Sequence, residues 1–231
     1  MITANTLTKS YGKTTVLEIN ELEIPVGECF GLVGNNGAGK TTFFSILLDL
    51  IKASTGEVIS NEIAVAKSEE WKRFTAAFID DSFLIGYLTP EEYFYFVGEL
   101  RGIDKASVDS FLETYADFFN DEFLNQKKYL RDFSKGNQKK VGLIATFIGN
   151  PKVIILDEPF ANLDPTTQIR LKQIIKAETE KREVTLLISS HDLNHVTEVC
   201  NRIVLLERGS VIMDKETTSK TLQELEDYFS A

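Results

Sequence analysis

CFGLVGNNGAGKTTFFSILLDL, residues 29–50, joins a short apolar run to a longer one through a turn rich in glycine. Residues 29–33 read as a buried strand, and Thr41 to Ile51 as a helix apolar on most sides. Between them, residues 34–41 fit the pattern G-x-x-x-x-G-K-[ST] where that pattern has a mechanism, after a strand and opening a helix. Glycines let successive backbone N–H groups wrap phosphate oxygens, a lysine reaches the terminal pair, and the hydroxyl beside it coordinates Mg²⁺. Gly34, Asn35, Asn36, Gly37, Ala38, Gly39, Lys40, Thr41 and Thr42 are the candidate phosphate-binding residues, with Thr41 also a candidate metal ligand. A glycine turn that merely caps a helix is the alternative, and the flanking strand and helix weigh against it.

The complement lies downstream. VIILDEP, residues 153–159, is a buried run ending in two acids, where an open α/β sheet binds ligands at the carboxyl ends of its strands. Asp157 is placed to hold Mg²⁺ through its water shell, and Glu158 to orient or deprotonate an attacking water. An acidic turn before Pro159 would explain this stretch alone, but not together with Lys40.

Working outward, the runs Ile2 to Leu7 and Val16 to Ile24 alternate as antiparallel strands do, with turn signals at Ser10-Tyr11-Gly12 and Pro25-Val26-Gly27. Thr89-Pro90-Glu91-Glu92 is a capping box opening a helix to about Leu100. A second amphipathic helix carries Val108, Phe111, Leu112 and Tyr115, and a third carries Val141, Ile144, Phe147 and Ile148. After Pro151 the α/β pattern resumes: strands at 153–156 and 184–189, helices over Pro165 to about Lys181 and from Asp192, and a hairpin at 203–212 turning on Arg208-Gly209. Leu222, Leu225 and Phe229 share one face of a final helix. A single domain over 1–231 is expected, with residues 1–84 and 151–231 forming an α/β core with an antiparallel β subdomain, and residues 85–150 an all-helical insertion.

A chain of 231 residues, 43% of them hydrophobic, suffices for one core plus a small inserted lobe. Its net charge of −10 argues against nonspecific nucleic-acid binding, which depends on Lys and Arg neutralising phosphates. Cys29 and Cys200 match no metal spacing and are expected to be buried as small apolar residues without chemistry. No stretch approaches about eighteen consecutive apolar residues, and the amino terminus lacks the build of a signal peptide, so neither a membrane span nor export is expected.

FSKGNQKK, residues 133–140, opens the third helix of the insertion with small and basic residues. With Ser134 as N-cap, such a start directs backbone N–H groups at an anion, and a phosphate is the expected ligand.

Gly34 to Thr42, Phe133-Ser134-Lys135-Gly136-Asn137, Ile154 to Pro159, Ala161-Asn162-Leu163-Asp164 and Ser190-His191 follow one another in an order and spacing that resembles ABC transporter ATPase subunits over essentially the whole chain. The resemblance implies an α/β fold, a P-loop NTPase core with an N-terminal antiparallel β subdomain and an inserted all-helical subdomain. It implies ATP and Mg²⁺ as cofactors, and two ATPase chains, alike or related, pairing head to tail. Ser134 and Gly136 would then hold the γ-phosphate of the partner's nucleotide, and His191 would contact γ-phosphate and steady the attacking water. Tyr11 matches the aromatic that stacks on adenine, or is an aromatic packed in a glycine turn. Asp164 is explained as an N-cap before Pro165, with a role across the dimer as an addition. His195 has neither the zinc-protease glutamate nor a third ligand beside it, and is read as a surface or packing residue.

Two departures stand out. Asp80 falls where the family usually has a metal-contacting glutamine, which makes Asp80 a candidate Mg²⁺ ligand and puts the coupling role in doubt. The signature has Phe133, Lys135 and Asn137 for the usual leucine, glycine and glutamine, while Ser134 and Gly136 are kept.

The resemblance further implies a separate transmembrane permease subunit, a peripheral place on the cytoplasmic side of the cell membrane, and no nucleic-acid partner. Thr89-Pro-Glu-Glu-Tyr followed by Glu99-Leu-Arg-Gly-Ile is similar to the exporter branch with separately encoded membrane subunits. The consecutive aromatics Tyr93-Phe94-Tyr95-Phe96 face all directions on a helix, so either a partner or the lobe's own helices cover them. A soluble ABC-type ATPase acting on nucleic acid or ribosomes is the alternative. The insertion of about sixty-five residues lacks the sustained heptads of the chromosome-acting members.

Overall fold

In the computed structural model, which describes residues 1–120 and 122–230, the chain opens on an antiparallel pair, β1 (Ile2–Tyr11) and β2 (Thr14–Ile24). Ile2, Ala4 and Leu7 turn inward against Leu17, Ile19, Leu22 and Ile24, the alternation stepping by one residue between Ala4 and Leu7, where Thr6 takes a positive φ, and between Ile19 and Leu22. β3 (Cys29–Val33), buried at every residue, leads into α1 (Lys40–Leu47). That helix stops at Leu47 and does not reach Ile51, because Asp49 takes a left-handed conformation, φ 51°, that no helix can continue. β4 (Thr55–Ser60), β5 (Ile63–Ala64) and β6 (Thr75–Phe78) follow.

Four helices come next: α2 (Pro90–Leu100), α3 (Lys105–Glu113), α4 (Ala116–Phe119) and α5 (Lys135–Ala145). The expected capping box is present, with Thr89 Oγ1 accepting from Glu92 N and Glu92 Oε2 accepting from Thr89 N. The second helix of the sequence reading breaks in two, with Tyr115 at the start of α4. Phe147 and Ile148 lie beyond the end of α5 but remain buried. Of the four consecutive aromatics, Phe94 is fully buried against Phe119, Tyr93 and Tyr95 are half-buried, and Phe96 is exposed. Lys140, buried in α5, pairs with Glu122 at 2.8 Å.

The chain then alternates β7 (Val153–Leu156), α6 (Pro165–Lys181), β8 (Thr185–Ser190) and α7 (Leu193–Val199). It closes with the hairpin β9 (Arg202–Glu207) and β10 (Ser210–Glu216), then α8 (Thr221–Ser230). Arg208 and Gly209 both take positive φ, as a two-residue hairpin turn requires. In α8 the inward residues are Thr221, Leu225 and Tyr228, whereas Phe229, expected on the inner face, points out.

Among the described residues, ten strands form one sheet in the order β5-β4-β1-β2-β10-β9-β3-β8-β7-β6. From β9 to β6 every neighbouring pair is parallel, whereas β1, β2, β4 and β5 pair antiparallel. Strands buried on both faces feed two cores: Ile154, Leu156, Leu186 and Ile188 pack towards the helical insertion, Val153, Ile155 and Leu187 towards α1 and β2. Cys29 and Cys200, far apart in sequence, pack side by side with Sγ atoms 3.9 Å apart, both fully enclosed by apolar neighbours. Parallel pairing brings the carboxyl ends of β3, β7 and β8 to one edge, where α/β sheets bind ligands.

Candidate active site

The glycine turn sits at that edge. At Gly34 a Cβ would lie 2.3 Å from the carbonyl oxygen of Leu206, so no side chain fits. The loop is pinned by Gly209 N donating to Ala38 O and Ala38 N to Asn35 O, at 2.8 and 3.0 Å. Gly39 is the N-cap of α1 and supplies no side-chain cap, which leaves the first-turn N–H groups to an anion. Lys40 is buried and folds back over the loop, donating to Gly34 O at 2.7 Å and lying 3.2 Å from Glu158 Oε1.

Three strand ends converge on this lysine. Thr41 Oγ1 donates to Asp157 Oδ2 at 2.5 Å, and Ser189 Oγ donates to Asp157 Oδ1. Glu158 N donates to Ser189 Oγ at 2.9 Å, and His191 Nδ1 is 2.8 Å from Glu158 Oε2. Glu158 thus bridges Lys40 and His191 through its two carboxylate oxygens. Its backbone is left-handed, φ 46°, a conformation that persists only where surrounding contacts enforce it.

Burial raises the pKa of Asp157, against the opposing effect of hydrogen bonds from Ser189 and Thr41. The Thr41 hydroxyl and the Asp157 carboxylate are hard oxygen donors that suit Mg²⁺. Among the described residues no group of three or more His, Cys, Asp or Glu could enclose a metal. Nucleotide phosphates would have to complete the shell, the usual way Mg²⁺ is bound.

Asp80 lines a cavity of about 640 Å³ together with Thr41, Asp157 and Glu158. Its Oδ1 accepts from Ser82 N at 2.8 Å, and those bonds from Ser82 hold its pKa below the usual carboxylate value. Tyr11 is 57% exposed and lines a second cavity, of about 290 Å³, with Asn36, Gly37, Lys40, Thr42 and Glu158. One side of its ring carries the Lys9 ammonium at 4.8 Å.

Ser134 caps α5, its Oγ accepting from Asn137 N at 3.2 Å. Among the described residues that line these two cavities, Ser134 and Gly136 do not appear. Asp164 caps α6 through Thr167 N at 3.0 Å. His195 packs on Phe160 with ring centroids 4.5 Å apart and faces Asp192, away from any metal set.

Ser189 is the polar centre that sequence reasoning missed. Fully buried, it holds both the Asp157 carboxylate and the Glu158 peptide. A hydroxyl closing an apolar strand beside another strand that ends in acids was its signal, since buried polar groups need partners.

Comparison with known proteins agrees with this geometry. A family model described as "ABC transporter" matches residues 12–161. An uncharacterised ABC transporter ATP-binding protein of Bacillus subtilis, YhaQ, is 32% identical over 92% of this chain and 70% of its own length. The lantibiotic transport ATP-binding protein SrtF of Streptococcus pyogenes is 32% identical over 97% of this chain and 95% of its own. An ATP-binding subunit of an ABC transporter superposes with TM-score 0.85 at 26% identity, covering 100% of this chain and 95% of that one. A dimeric ATP-binding cassette in a post-hydrolysis state with ADP and Pi shares the fold, with TM-score 0.83 at 23% identity over 95% of this chain and all of that one. With the glycine turn, the strand-end acids and His191 assembled on this fold, the chain belongs to the ABC transporter family.

Proposed function

We propose that the chain binds and hydrolyses ATP and powers a membrane transporter, an exporter, through ATP-driven head-to-tail pairing of two ATPase subunits. The observation that carries this reading is the convergence of Lys40, Thr41, Asp157, Glu158 and His191 at the carboxyl ends of three parallel strands. Lys40 Nζ pairs with Glu158 Oε1 at 3.2 Å. A γ-phosphate offers Lys40 a stronger partner and releases the Glu158 carboxylate towards water. His191, 2.8 Å from Glu158, then orients that carboxylate and the water it acts on. Thr41 and Asp157 would hold Mg²⁺, which would supply charge neutralisation at the phosphates. Asp80 stands beside them as a further oxygen donor, and Tyr11 offers the open face of its ring to adenine.

Partner and place follow from the surface. Among the described residues no helix is long and apolar enough to cross a membrane, so the substrate path is assigned to a separate permease. A groove of about 270 Å³ lined by Leu48, Trp71, Phe83, Leu84 and Tyr93 runs between core and helices. Phe83 is 61% exposed there, an apolar surface fit for a membrane subunit. The subunit would sit on the cytoplasmic face of the membrane, and SrtF, named for lantibiotic transport, supports a transport role. The exporter direction rests on the likeness of residues 89–93 and 99–103 to that branch.

Glu158→Gln tests the reading: ATP turnover should fall by a factor on the order of 10² to 10⁴, the usual worth of a general base, while ATP binding survives. Undiminished hydrolysis would overturn the role of Glu158. Co-purification with a polytopic membrane protein checks the partner; salt-sensitive association with ribosomes or DNA would contradict it.

A further inference from the structure

FSKGNQKK conceals a buried ammonium. Lys139 is 7% exposed, where a lysine is found only with dedicated partners. Its Nζ donates to the carbonyl oxygens of Glu158 at 2.7 Å and of Ala161 at 2.8 Å. Burial lowers its pKa, and the neighbouring carboxylates of Asp81, Glu158, Asp157 and Asp80 partly offset that cost.

These bonds bear on the left-handed backbone of Glu158. Ser189, at the end of β8, takes the Glu158 N–H, and Lys139, from α5, takes its carbonyl. Both peptide groups of a strained residue are thereby fixed, one from the sheet and one from the helical insertion. Gly136, in the first turn of α5, lies so close to the same loop that a Cβ there would sit 3.3 Å from Asn162 O. The segment from Glu158 to Asn162 is therefore seated on the start of α5 at several points.

We propose that Lys139 is a positioning residue for hydrolysis, holding the Glu158 turn to α5 so that a shift of this helix moves the Glu158 carboxylate. The inference deepens the reading of Glu158 as the group acting on water, and rests on it. Since the amino terminus of α5 carries Ser134, Lys139 would link the phosphate contact made to a second chain with the catalytic turn of its own.

Lys139→Met keeps the apolar stem and removes the donors. Its kcat for ATP should fall about tenfold to a hundredfold, the scale of a misplaced catalytic group. KM should stay within about threefold, because the glycine turn is untouched. Amide exchange over residues 157–164 should accelerate, with exchange over residues 29–47 unchanged. Lys139→Gln, which keeps N–H donors on a shorter stem, should recover part of both effects and serves as the test if Lys139→Met does not fold. Unchanged exchange over 157–164 overturns the proposal whether or not the chain hydrolyses ATP. Unchanged kcat in a chain that does turn over ATP overturns it as well. Absent turnover in the wild-type chain would count against the hydrolytic reading, and the exchange data would then decide this one.

Discussion

At the scale of single residues, the site is organised by one hydroxyl. Ser189 donates to Asp157 and accepts from the Glu158 N–H, in a place without exposure to solvent. Ser189→Ala would leave that N–H without its acceptor, at a cost of about 1–3 kcal/mol. It would also relax a backbone conformation that itself costs roughly 1–3 kcal/mol to hold. The expected outcome is a lower urea midpoint together with about a tenfold loss of turnover, the order produced by a small misplacement of catalytic groups. Equilibrium unfolding and steady-state kinetics on the same preparation check it. Lys40, Asp157, Glu158 and His191 could be placed together from sequence because each lies on the segment that leaves the carboxyl end of an apolar run, a place with chemical meaning in an α/β sheet. Lys139 could not, because what it grips is backbone from another segment, and main-chain partners leave no trace in residue identity; Ser189 carried only the weak signal of a hydroxyl closing an apolar strand. Asp80 lines the same cavity as Thr41 and Asp157, and its engagement by Ser82 was not legible.

At the scale of elements, the helical insertion depends on a chain of aromatic rings. Phe119 lies 5.8 Å from Phe94 and 5.0 Å from Phe123, and Phe123 in turn 6.3 Å from Phe133, which immediately precedes the Ser134 cap. Phe119→Ala should cost about 3–5 kcal/mol, as large cavities in packed cores do. The loss should appear first as faster amide exchange in α2, α4 and α5, because these rings pack there and not against β1 or β2. Strands with two buried faces, β3, β7 and β8, could be read from composition, and so could the hairpin whose turn demanded positive φ. β4 and β5 could not: β4 buries only Val58 and Ser60, and β5 is two residues held by pairing. The helix ends missed for a related reason. Asp49 ends α1 through a left-handed backbone conformation that the residue type alone does not announce, and Leu50 beyond it is apolar yet exposed.

At the scale of the whole molecule, one chain presents two helix starts with backbone N–H groups suited to an anion. The first, at Gly39 and Lys40, opens onto the chain's own acids. The second, at Ser134, is exposed, and among the described residues only the Asn137 N–H is bonded to its hydroxyl. In the proposed head-to-tail pair, the anion at Ser134 would be the γ-phosphate held by the second copy. Both copies carry a net charge of −10, so long-range repulsion opposes the pair and ATP must supply local contacts that outweigh it. Ser134→Arg fills the second site and leaves the first untouched. Loss of the cap should cost about 1 kcal/mol of stability, too little to unfold the domain. ATP affinity of the single chain should stay within about twofold, since Ser134 lies outside the cavity around Lys40. On a Glu158→Gln background, where bound ATP persists, size-exclusion chromatography should show ATP-driven dimers for Ser134 and monomers for Ser134→Arg. Hydrolysis by the otherwise unaltered Ser134→Arg chain should fall with the loss of pairing. A Ser134→Arg chain that still hydrolyses ATP at the wild-type rate would reduce FSKGNQKK to a helix cap, and catalysis to a property of one chain alone.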